Sequence, residues 1–185
     1  YFRRQGVTLK IISGDNPLTA ASVARRAGID GWEAVLDMST LPPDADLAEI
    51  SEKYTVFGRV SPSQKRGLLR ALKHRGHTVA MTGDGVNDVL AMKEADCSVA
   101  MASGSEAARS LADLVLLDNS LSSMIQAVYE GRRVINNIGR VAALFLVKTT
   151  YSALLSVLFI LLPFPYPFYP IQLTMIGIVT IGLPS

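Results

Sequence analysis

From Val141 to Leu162 the chain runs for 22 residues with a single charge, Lys148. A helix rises about 1.5 Å per residue, so this run spans roughly 33 Å, enough for a hydrocarbon core of about 30 Å. A soluble fold would have to cover such a helix on every side, so the run is read as crossing a membrane. A second apolar run, Ile171 to Leu183, stops short of a full span.

Residues 1 to 118 mix charged and apolar residues in globular proportions. The net charge of +2 gives no bulk attraction to nucleic acid, and none is expected as a partner. Cys97 is the single cysteine, which excludes an internal disulfide and a zinc-type spacing. It sits in an apolar run and reads as core packing. The chain starts at Tyr1 without a Met and stops at Ser185 in an apolar stretch, which reads as a piece of a longer protein.

The first part alternates. Strands are expected at 7–12, 34–36, 54–57, 77–81, 97–101 and 114–117. Helices are expected at 18–27, within 42–53, from Ser61-Pro62 to Gly76, at 86–95 and at 105–112. Pro17 suits a first helical turn, and Gly28 and Gly76 suit helix ends. Strands alternating with helices point to a doubly wound parallel sheet. Ser120 is the expected N-cap of one helix over 121–162, about 63 Å long, whose first half carries Glu130, Arg132, Arg133 and Arg140. This is a stalk leading into a bilayer. Its arginines favour a cytoplasmic soluble domain. Pro163 to Pro170 reads as a tight aromatic turn. The following helix meets Gly182-Leu183-Pro184, a pattern of broken membrane helices that line ion sites.

The chemistry concentrates in Thr82-Gly83-Asp84-Gly85-Val86-Asn87-Asp88. Two carboxylates four apart follow an apolar run, at the carboxyl edge of a strand where open α/β sheets gather ligands. Hard oxygen donors there suit Mg²⁺, with phosphate as co-ligand. Flanking glycines let a phosphate approach the backbone. Asp84 is the expected direct Mg²⁺ ligand. Asp88 binds through water or holds the loop, and Asn87 contacts phosphoryl oxygens. If the sheet is doubly wound, Ser13-Gly14-Asp15 and Lys65 converge on the same edge. Ser13 and nearby amides supply donors, Lys65 supplies a point charge, and Asp15 accepts a ribose hydroxyl or orients the loop.

With these residues the chain resembles the P-type ATPases, the ion- and lipid-pumping branch of the haloacid dehalogenase superfamily. Thr82 to Asp88 matches the family's hinge motif residue for residue. Ser13-Gly14-Asp15 is similar to its Thr-Gly-Asp motif. Arg59-Val60-Ser61-Pro62-Ser63-Gln64-Lys65 resembles the segment with its phosphate-site lysine and a nucleotide-contacting arginine. Gly182-Leu183-Pro184 is similar to the break in the sixth membrane helix of calcium- and sodium-type pumps.

The resemblance implies a Rossmann-like parallel-sheet α/β domain (1–118, the C-terminal part of a phosphorylation domain). It implies a stalk helix (119–140) and a transmembrane hairpin (141–185) after it. It also implies ATP hydrolysis through an aspartyl phosphate, coupled to transport of a cation across the plasma membrane. The expected partners are ATP, Mg²⁺, the cation, the bilayer and the rest of the same protein. Ser13, Gly14, Asp15, Arg59, Lys65 and Asn87 would contact nucleotide or phosphate, and Asp84 with Asp88 would hold Mg²⁺. The Asp-Lys-Thr-Gly-Thr segment with the phosphorylated Asp is not in this sequence, and the chain alone is expected not to turn over ATP. Aligned on Asn136-Asn137 and on Gly182-Leu183-Pro184, the pumps' ion-ligand positions hold Thr149, Ser152, Gly177, Thr180 and Ile181, and no carboxylate occurs from Val141 to Ser185.

Lys148 is read either as a snorkelling lysine or as a built-in counter-charge. A soluble phosphatase of the same superfamily, a lipid-flipping pump and a non-catalytic anchored module are the alternatives. His74 and His77 are expected to meet carbonyls at a helix end.

Overall fold

The computed structural model describes residues 1–42, 45–162 and 168–179. The chain divides into two compact units, Tyr1–Ile125 and Gln126–Ser185.

In the first unit, strands and helices alternate as β1 (Ile11–Ile12), α1 (Pro17–Arg26), β2 (Val35–Asp37), α2 (Leu47–Lys53), β3 (Val56–Gly58) and α3 (Pro62–His74). They continue as β4 (Ala80–Gly83), α4 (Val89–Met92), β5 (Cys97–Met101), α5 (Glu106–Leu111) and β6 (Leu114–Leu116). Every pairing is parallel, as the alternation implies. The strands form two three-stranded sheets, β1-β3-β2 and β4-β5-β6, where one continuous sheet was expected. Among the described residues, β1 pairs only with β3 and β4 only with β5.

Helix α3 packs on both sheets because its apolar face is wide. Leu68 joins Met38, Phe57 and Val60, while Leu69 joins Met81, Met92 and Ala100. Ile12 of β1 packs against both clusters. Several element limits differ from the sequence reading. β1 covers only the end of 7–12, β4 starts at Ala80 rather than 77, and the segment after β4 is a 3-10 turn (Val86–Asp88) followed by the short α4. His77 lies outside β4. Its Nε2 lies 2.5 Å from Glu52 Oε1, while its amide donates to the Leu72 carbonyl at the end of α3, as expected of a helix end.

The start and stop signals of α1 and α3 hold. Asn16 accepts from the Leu18 amide with Pro17 in the first turn of α1. Ser61 and Gln64 form a reciprocal capping box at α3. Gly76, at φ +88°, follows α3 in a conformation that side chains disfavour. Trp32 packs against the α1 side of the first sheet, with the Arg25 guanidinium 5.3 Å from its ring centre. Cys97 is half-buried in β5, and burial pushes its thiol pKa up.

Gly58 ends β3 flush against the backbone of Pro17. A Cβ there would stand 2.4 Å from the Pro17 Cα and 2.7 Å from its Cγ. Backbone cannot rotate aside, so Gly58→Ala must push α1 off the sheet. The expected cost is about 1–3 kcal/mol, read as a lower urea midpoint at constant slope.

The second unit is mostly α6 (Ser123–Leu161), 39 residues and roughly 58 Å long. It opens at Ser123 rather than 121. Ser120 caps the preceding turn, accepting from the Ser122 amide, and Asp118 takes the Ser123 hydroxyl. Among the described residues this is the one helix long and apolar enough to cross a membrane, and its apolar stretch is not buried. The helix α7 (Pro170–Gly177) follows. Most of the expected aromatic turn (163–167), Thr180, Ile181 and Gly182-Leu183-Pro184 lie outside the described residues. The expected hairpin is therefore represented by one long helix and eight residues of the next. Lys148 turns its ammonium to Gly177, where an added Cβ would stand 2.4 Å from Nζ.

Candidate active site

The ends of three strands and the start of α3 carry the chemistry. The capping box and Pro62 set where α3 begins, and so place Lys65 one turn in, on the same face as Leu68, Leu69 and Leu72. That face is buried, and Lys65 is buried with it, 9% exposed. A cation taken out of water needs a partner. Lys65 Nζ donates to Asp88 Oδ1 at 2.6 Å, and Asp88 is itself 8% exposed. The other Asp88 oxygen accepts from the Gly85 amide at 3.3 Å. Gly83 makes room for this carboxylate. A Cβ on Gly83 would stand 2.6 Å from the Asp88 Cβ and 2.9 Å from the Met92 sulfur. Close packing of the loop on its own strand is therefore one demand met by this glycine.

Asp84 differs from Asp88 in every respect. It is exposed, and among the described residues its carboxylate has no hydrogen-bond partner. Its backbone is held firmly. The Ser105 amide donates to the Asp84 carbonyl at 2.7 Å, and Gly104 lies so close that a Cβ would be 2.9 Å from that oxygen. Asn87 is also exposed. The loop thus presents one tethered, unengaged carboxylate beside one that is locked to a lysine.

The segment Ser13-Gly14-Asp15 is joined to the end of β3. The Arg59 amide donates to the Asp15 carbonyl at 2.8 Å, and the Val60 amide to the Ser13 carbonyl at 3.0 Å. Ser13 Oγ accepts from the Asp15 amide at 3.1 Å, closing a small turn. Gly14 faces open space. Arg59 Nη1 donates to Asp37 Oδ2 at 2.8 Å, while Asp37 Oδ1 accepts from the Ser39 amide and hydroxyl. The Ser39 bonds, then Arg59, hold the Asp37 carboxyl below its ordinary pKa.

The fold therefore brings together Ser13, Asp15 and Arg59 as one group, and Lys65 with Asp88 as another beside Asp84 and Asn87. Asp37 and Gly104 escaped the sequence reading. An Asp at a strand end two residues before a Ser is an Asx-turn signal that could have marked Asp37. Gly104 in Ser103-Gly104-Ser105 reads only as a turn before a helix.

On the outer side of α3, Arg66 and Arg70 reach Glu94, and Lys73 reaches Asp96. These partly exposed pairs tie α3 to the segment after α4 and contribute little each.

As a test of fit for Mg²⁺, the donors are hard oxygens at a strand end, with Asp84 unengaged. Among the described residues no group of three or more His, Cys, Asp and Glu could hold a metal by itself. The exposed, unengaged oxygens of Asp84 suit a cation held by one or two carboxylates plus phosphate oxygens and water.

A family profile described as haloacid dehalogenase-like hydrolase matches residues 1–96, and a second of the same description matches 65–128. The whole chain is 47% identical to 25% of the length of a probable cation-transporting ATPase of Streptococcus pneumoniae. It is 50% identical to 24% of the length of a calcium-transporting ATPase of Mycolicibacterium smegmatis. Among solved structures, a zinc-transporting PIB-type ATPase in an E2.Pi state matches with a TM-score of 0.62 and 26% identity, over 80% of this chain and 20% of that one. The chain thus spans about a quarter of the length of the curated relatives it matches. The parallel α/β architecture, the strand-end acids and these matches agree: the chain belongs to the haloacid dehalogenase-like hydrolases, and its relatives there are cation-transporting P-type ATPases.

Proposed function

We propose that this chain is part of a P-type ATPase that couples ATP hydrolysis, through an aspartyl phosphate, to cation transport. In this reading residues 1–118 are the C-terminal part of the phosphorylation domain, 119–140 the stalk and 141–185 a membrane hairpin. The observation that carries it is the buried Lys65–Asp88 pair set beside the unengaged Asp84 at one strand end. Phosphoryl transfer asks a protein mainly for positioning and charge compensation, and such a site supplies both.

An aspartate oxygen from elsewhere in the protein attacks the γ-phosphorus of ATP, and ADP leaves. Water later cleaves the acyl phosphate and releases inorganic phosphate. The edges of β1 and β4 that pair with no described strand are where a strand bearing that aspartate would fit. Lys65, held by Asp88, places positive charge at the phosphoryl oxygens. Ser13 and Asn87 donate hydrogen bonds to them. Asp15 and Arg59 meet the nucleotide. Mg²⁺, when bound, would neutralise phosphate charge, held by Asp84 and through water by Asp88. No acid occurs in 141–185, so a divalent cargo would take its ligands from other helices or from backbone carbonyls.

The test is a pulse of γ-labelled ATP given to the full-length protein in membranes. An acid-stable, hydroxylamine-labile phosphoprotein is expected, with turnover stimulated by a metal cation, and no labelling of the isolated 185-residue chain. Stimulation by lipid instead of cation would favour the flipping alternative. A soluble full-length protein that hydrolyses phosphate esters would sink the pump reading.

A further inference from the structure

Arg59 has φ +51°, and Asn119 is the other non-glycine residue with positive φ among those described. Asn tolerates this region well, whereas an Arg there carries strain. Strain persists where the surroundings over-determine the backbone, and such places cluster at functional sites. The surroundings here are explicit. The Arg59 amide is bound to the Asp15 carbonyl, and Gly58 is wedged against Pro17. β2 and β3 are in register at Asp37 and Gly58, which brings Asp37 within reach of the next residue along, Arg59.

We infer that Asp37 is a positioning residue that pre-orients the Arg59 guanidinium for an anionic nucleotide; this rests on the ATPase reading above. The Asp37 carboxylate is divided in function. Oδ1 is fixed by Ser39 N at 3.0 Å and Ser39 Oγ at 2.6 Å, while the Asp37 carbonyl accepts from Thr40 Oγ1 at 2.8 Å. Only Oδ2 faces Arg59. The anchor is therefore rigid, with its side chain 24% exposed, while the arginine side chain is 50% exposed. One of the five guanidinium N–H donors is spent on Asp37, leaving four for a phosphate or ribose. A long arginine held in one rotamer before binding loses less entropy on binding.

The test uses the full-length protein with ATP. Asp37→Asn keeps the shape and the Ser39 bonds but weakens the grip on Arg59. The KM for ATP is expected to rise about twofold to fivefold, with kcat unchanged within error. Because Asp37 acts through Arg59, adding Asp37→Asn to Arg59→Ala should leave the KM of Arg59→Ala unchanged. Thermal unfolding of Asp37→Asn should shift by only a few degrees. An unchanged KM in Asp37→Asn, or an additive double variant, overturns the inference alone. Wild-type protein with no ATP turnover overturns the ATPase reading on which it rests.

Discussion

Lys65→Met is expected to lose both stability and phosphorylation, and Asp88→Asn in the same chain should restore most of the first and none of the second. The reason is the depth of the pair. Both side chains are only 11% and 12% exposed, and the Lys65 ammonium is the cation bonded to Asp88. Removing the lysine leaves an uncompensated buried carboxylate, a change that costs about 3–5 kcal/mol in such settings. For a unit of this size that is roughly 10 °C or more in Tm, measurable by circular dichroism. Neutralising Asp88 removes the stranded charge and so recovers stability, since the pair itself stabilises little relative to an uncharged replacement. On the proposed role of Lys65, phosphorylation stays lost because the positive charge it would place at the phosphoryl oxygens is gone. Equal stability of the single and double variants would show that the pair is not buried as described.

The second large effect is the converse, activity lost without stability. Asp84→Asn changes an exposed side chain with no described hydrogen bond, so the unfolding free energy should move by no more than about 0.5 kcal/mol. If Asp84 is the carboxylate that holds Mg²⁺, ATP-dependent phosphorylation of the full-length protein should fall on the order of 100-fold or more. The KM for Mg²⁺ should rise with it. Phosphorylation near the wild-type level would remove Asp84 from the metal site and shift attention to Asp88.

These two aspartates show how far the sequence reading reaches. Their spacing and the glycines between them mark a strand-end loop. Spacing does not say that one acid is locked to a lysine 23 residues away while the other stands free. That division depends on α3 lying across both sheets, so that Lys65 shares a buried face with leucines. The sheets themselves were half legible. Alternation gave parallel strands, but not the separation into two sets of three, because pairing depends on which strands are present to fill each edge. β4 begins three residues later than its apolar run suggested, and just before it the Val79 amide goes to the Asp96 carboxylate, 17 residues away, instead of to a strand.

By itself the sequence determined what hydrogen bonds and periodicity over a few residues can decide. Asn16-Pro17 and Ser61 through Gln64 started their helices where expected, and the apolar run beginning at Val141 stayed helical through Leu161. The tertiary structure alone decided the meetings at the sheet edge: Lys65 with Asp88, Arg59 with Asp37, and Gly104 beneath Asp84. Parallel strands are joined through intervening helices, so their register unites residues from distant segments. No local pattern carries that information.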